Sequence, residues 1–195
     1  MTAGQSRKTV PLLLLLWLGL ACVFGLSGRL EQASAPMIAL IVWTLAAAVL
    51  LASWKVPPIK AWALSVAPRW LVLFHLTRFV GLYFLFLQRR GQMPFAFAIP
   101  AGWGDITVAL LAVFVLISSD ARNWKLLLVW NCLGLLDILF VVSAALRIGL
   151  QDWPSMHALR EWPLSLLPTF VVPLIIASHV LIFARARGSA KSRTD

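Results

Sequence analysis

Six stretches of this chain are almost purely apolar, at about residues 10–26, 36–54, 70–88, 95–118, 125–146 and 163–184. Each is close to the roughly 20 residues that an α-helix needs to cross a bilayer. Short polar gaps, most of them basic, separate the stretches. The pattern predicts an all-α polytopic membrane protein, a single membrane domain built as one bundle of six transmembrane helices. A basic tail at 186–195 is expected to follow it.

Two places interrupt the pattern. The gap from Lys55 to Arg69 is long enough to hold a surface-lying turn around Trp62. In the fourth stretch, Pro100, Gly102 and Gly104 fall close together, as a helix break does, which predicts a kinked or broken span with Asp105 at the break. A helix starting only at Ile106, with Asp105 as its N-cap, would be about 20 Å long and too short for a hydrocarbon core near 30 Å.

Composition agrees with a lipid setting, with 61% hydrophobic and 12% charged residues. The net charge of +10 does not indicate nucleic acid, because Lys and Arg sit in the gaps rather than along one face. It indicates topology and contact with anionic membrane lipid. Eleven of these cations (Arg7, Lys8, Lys55, Lys60, Arg69, Arg122, Lys125, Arg185, Arg187, Lys191 and Arg193) flank alternate ends of the spans, against five (Arg29, Arg89, Arg90, Arg147 and Arg160) on the other side. The positive-inside rule then puts both termini in the cytoplasm, for a bacterial inner membrane. The Arg89-Arg90 pair runs against that count. The first stretch continues past the short core of a secretory signal, so an uncleaved helix is expected. The Leu20-Ala21-Cys22 segment is similar to a lipoprotein cleavage box but has Gly19 where that box carries an aliphatic residue. Cys22 and Cys132 match no metal or redox spacing.

Charges inside the spans carry the chemistry. Counting helical rise from the span ends brings Arg78, Asp105 and Asp137 to one layer near the midplane. An ionisable residue there costs roughly 2.5–3.5 kcal/mol to insert and marks a functional site whose partner must be named. One arginine can bridge two carboxylates with its planar fork, but the sum is still minus one. The expected relief is an exchangeable proton on one of the two aspartates. The competing expectation is a permanently charged lock that holds three helices together. Gly102, Asp105 and Ile106 recur 32 residues later as Gly134, Asp137 and Ile138, which is what glycine-rich packing faces also produce.

His75 and His179 fall at a similar depth, and His75 shares a helix face with Arg78. Such a pair can relay protons, bond a carbonyl freed by Pro173, or clamp the iron of a b-type haem. Asn131 is expected to hydrogen-bond between helices. His157 with Asp152 and Glu161 has the composition of an ordinary solvated loop. No hydrolase, phosphate-loop or zinc-protease signature is present.

The expectation that follows is a small transporter or proton-coupled pathway through Arg78, Asp105, Asp137, His75, His179 and Asn131, acting on a proton or small molecule. A non-catalytic assembly or sensor protein with a structural charge lock is the first alternative, and a redox protein binding haem b is the second. A homo-oligomer through Ala46, Ala47 and Ala48, or a partner membrane subunit, is compatible with either.

Overall fold

The computed structural model describes residues 3–118 and 124–191, with side chains from 9 to 118 and from 124 to 186. The side chains of Arg7, Lys8, Arg122, Arg187, Lys191 and Arg193, all used in the topology count, lie outside this set, as does Asp120. The described residues form eight α-helices: α1 Ala3–Leu26, α2 Ala35–Lys55, α3 Pro57–Ser65, α4 Pro68–Phe74, α5 Val80–Arg89, α6 Phe95–Ile117, α7 Trp124–Gln151 and α8 Val172–Lys191. Among the described residues, six helical segments are long and apolar enough to cross a membrane: Thr9–Leu26, Ala35–Lys55, Pro68–Arg89, Phe95–Ile117, Trp124–Gln151 and Leu167–Ala186. The protein is an all-α, multi-pass membrane protein. The leucines of α1 make the lipid surface plain, since Leu12, Leu15, Leu16 and Leu20 all point outward.

Several boundaries differ from those expected. The gap after α2 folds into α3, a helix of nine residues. Helix α7 ends at Gln151 rather than near Leu146, and α8 continues to Lys191, through much of the expected tail.

The expected break in the fourth span is absent. Helix α6 is one continuous helix from Phe95 to Ile117, with Pro100 inside it. Pro100 stands early in that helix, so its missing N–H costs a single bond near the N-terminus. The helix type changes in the third span, where α4 and α5 are joined by a 3₁₀ turn, His75–Phe79. Residues three apart eclipse in a 3₁₀ turn. His75 and Arg78 therefore stand one above the other.

The chain forms two compact units, Met1–Val66 with Ala145–Ala177, and Ala67–Ala144 with Ser178–Asp195. In the first unit, Ser34 caps α2 by accepting from the Met37 amide, and Trp153 Nε1 donates to Ala33 O at 2.7 Å. A π turn at Leu167–Val171 precedes α8. Pro173 has no N–H to give to Thr169 O four residues back, and Trp17 Nε1 from α1 donates to that oxygen at 3.0 Å. The carbonyl freed by Pro173 thus goes to a tryptophan, not to a histidine. Ala46 is buried in this unit while Ala47 and Ala48 are exposed, so the three alanines do not share one face.

The second unit packs Val72, Val108, Ala112, Val115, Leu127, Trp130 and Ile182 into an apolar cluster. Trp130 Nε1 donates to Val108 O at 3.1 Å, which seats the indole against α6. Helices α5 and α6 approach closely at Gly81 and Gly102. A methyl group on Gly81 would overlap the Gly102 carbonyl, and one on Gly102 would come within 2.9 Å of the Gly81 carbonyl. The glycines of α6 serve backbone approach rather than a break, as small residues do in membrane helix pairs.

Candidate functional site

All six side chains singled out at membrane depth belong to the second unit, on the 3₁₀ turn, α6, α7 and α8. Arg78 is 1% exposed, and each of its three guanidinium nitrogens has a partner. Nε donates to Asp105 Oδ1 on α6 at 2.6 Å, Nη1 to Gly134 O on α7 at 2.9 Å, and Nη2 to Asp137 Oδ2 on α7. The bridge between two aspartates is therefore made from two helices to one guanidinium. Close approach makes it possible: a methyl on Gly104 would overlap Asp137 Oδ1, so α6 must be bare there for the carboxylate to fit. Asp105 is buried, whereas the Asp137 side chain keeps 17% of its surface open.

A second polar group lies beyond Gly134. His75 and His179 are both 0% exposed, with ring centroids 4.3 Å apart and planes tilted by 50°. Asn131 Nδ2 donates to His179 O at 3.1 Å, and its Oδ1 is 2.8 Å from His179 Nδ1. A backbone carbonyl only accepts, so the amide nitrogen must face it and the amide oxygen must face the ring. His179 Nδ1 therefore carries the hydrogen, and Nε2, which has no hydrogen-bond partner, presents a lone pair. His75 Nε2 is 2.9 Å from Ser178 Oγ, and its Nδ1 is likewise without a partner. An unpaired N–H is costlier to bury than a bare lone pair, which assigns the hydrogen to Nε2. Two buried imidazoles thus each hold one unfilled nitrogen.

The two polar groups meet at one residue. Gly134 O takes a hydrogen from Arg78, and its Cα faces His179: a methyl there would come within 2.6 Å of Cε1 and 3.0 Å of Nε2. His75 and Trp130 pack in a T-shaped contact, centroids 4.9 Å apart.

The haem expectation does not survive this geometry. Two imidazoles on opposite faces of one iron, each nitrogen about 2 Å from the metal, hold their ring centroids roughly 6 Å apart with the macrocycle between them. His75 and His179 are nearly in contact and fully enclosed. Among the described residues no group of three or more His, Cys, Asp or Glu side chains could hold a metal ion. In the loop, Asp152 Oδ1 accepts from the Ser155 amide and His157 Nδ1 donates to Pro154 O, so both shape the local turn. Cys22 and Cys132 are free thiols.

Gly81, Gly134 and Ser178 belong to this site and were not singled out from the sequence. The recurrence of Gly102 at Gly134 pointed to the second, but nothing separates a glycine that admits a side chain from one that admits a backbone. No curated protein and no solved structure matches the chain. Residues 35–187, which contain every member of the site, match the family model described as a domain of unknown function, DUF8737. With most of its length matched, the chain belongs to the DUF8737 family.

Proposed function

We propose that this membrane protein is a small proton-coupled transporter or proton pathway, running through the second unit and residing in a bacterial inner membrane with both termini cytoplasmic. One observation carries the reading. Asp137, with its partly open carboxylate, is joined through Arg78 to Asp105 and through Gly134 to two enclosed imidazoles with unfilled nitrogens. Two carboxylates and two imidazole lone pairs are four proton acceptors beside one fixed cation. The net charge of minus one on the triad gives a proton a place to bind. All three guanidinium nitrogens of Arg78 already bond to the protein, which leaves only the second hydrogens of Nη1 and Nη2 for an anionic substrate.

The same full occupancy favours a second reading, in which the triad is a structural lock inside a non-catalytic assembly or sensor protein. Full-length protein in liposomes loaded with a pH-sensitive dye separates them. Under the proton reading the wild type collapses an imposed pH gradient faster than empty liposomes, and Asp137→Asn abolishes this while losing only about 1 kcal/mol of stability. A wild type that moves no protons, or an Asp137→Asn variant that moves them equally well, leaves the lock.

A further inference from the structure

The first unit contains a crevice with a volume of about 760 Å³ between α1 and α2. Its walls are apolar, with Trp17, Leu20 and Phe24 on one side and Leu40, Ile41 and Leu45 on the other. Its two ends differ. One end is closed at Trp17, where the indole donates to Thr169 O and stands edge-on to Phe170, centroids 4.9 Å apart. At the other end are Ser27 and Arg29. From Trp17 to the end of α1 at Leu26 the wall extends roughly 14 Å by helical rise, close to the depth of one leaflet of a hydrocarbon core about 30 Å thick.

We propose that this crevice binds one acyl chain of an anionic phospholipid, with the lipid phosphate at Arg29. Charge complementarity selects the headgroup. Arg29 is exposed at the mouth, and a guanidinium fork matches a phosphate bidentately. Glu31, the nearest acidic residue in sequence, turns its carboxylate back over Gly28. Apolarity and length select the chain. The crevice opens along the bare faces of α1 and α2, whose spans are the least enclosed of the six, so a lipid enters sideways from the bilayer. Its volume lies within the range of ordinary ligand sites.

The test is native mass spectrometry of the full-length protein released from micelles that contain equimolar dioleoylphosphatidylglycerol and dioleoylphosphatidylcholine. The expected result is one retained lipid, with the anionic species favoured about fivefold, the selectivity that one arginine near a membrane surface supplies. Arg29→Gln, at an exposed position that does not endanger folding, should abolish the preference and leave retention of either lipid similar. Thr44→Trp, which fills the crevice from an exposed position on α2, should remove retained lipid of both kinds. Equal retention of the two lipids by the wild type, an undiminished preference in Arg29→Gln, or wild-type retention in Thr44→Trp each overturns the proposal.

Discussion

Deleting Arg78 is the most informative single perturbation. Its guanidinium is the cation between Asp105 and Asp137 and is 1% exposed. Arg78→Gln leaves two carboxylates facing each other uncompensated. Removing one partner of a buried ion pair costs roughly 3–5 kcal/mol, and two stranded anions put this case at the upper end. Asp137→Asn is milder: the 2.6 Å contact from Arg78 to Asp105 remains, the pair becomes neutral, and the new amide oxygen can still accept from Nη2. A loss near one hydrogen bond, about 1 kcal/mol, is expected. Replacing the whole set, as Arg78→Met with Asp105→Asn and Asp137→Asn, should recover most of what Arg78→Gln loses, since a buried ion group exchanged as a unit is often close to neutral. Thermal unfolding in detergent, followed by tryptophan emission, reads all three. The single variant should melt about 10 °C or more below the wild type, on the scale of 2–4 °C per kcal/mol for a chain of this size. If Arg78→Gln melts within about 3 °C of the wild type, or the triple variant is no more stable than the single one, the triad is not the buried ion group described above. The triple variant also separates stability from function, because it should keep the fold and lose any proton movement.

Three further outcomes follow from packing and hydrogen bonding. Gly104→Ala pushes the Asp137 carboxylate off Arg78 and should cost about 1–3 kcal/mol in unfolding experiments, whereas Gly19→Ala, which meets nothing within 4 Å, should be neutral. Gly81→Ala should cost at least as much as Gly104→Ala, because the new methyl meets the Gly102 backbone carbonyl rather than a side chain that can turn away. Trp17→Phe keeps the ring contact with Phe170 and loses the bond to Thr169 O, so a decrease of about 1 kcal/mol is expected and none if a water takes the carbonyl.

The spans were legible because lipid tolerates only long apolar helices, and the triad was legible because a charge in such a helix must find its opposite. Counting rise from the span ends was enough to bring Arg78, Asp105 and Asp137 together. The absence of the expected break has an equally physical reason. Proline and glycine signal a break where water can take up freed backbone groups, but in a packed membrane helix Gly102 and Gly104 admit a neighbouring backbone and a carboxylate. The 3₁₀ turn at His75–Phe79 has no such marker; nothing in His-Leu-Thr-Arg-Phe departs from ordinary helix composition. The tautomers of His75 and His179 were also out of reach, because they depend on Ser178 and on which end of Asn131 faces a carbonyl.

That 3₁₀ turn has a mechanical consequence. It winds by about 120° per residue where an α-helix winds by 100°, and rises about 2.0 Å instead of 1.5 Å. Over five residues the third span is overwound by roughly 100° and lengthened by about 2.5 Å. Relaxation to α would turn α4 by more than a quarter revolution relative to α5. His75 is tied to Ser178 at the start of the turn, and Arg78 is tied to α6 and α7 near its end. The span is gripped at both ends of its twist, so loosening either grip converts a change at one side chain into a rotation of the helix that carries it.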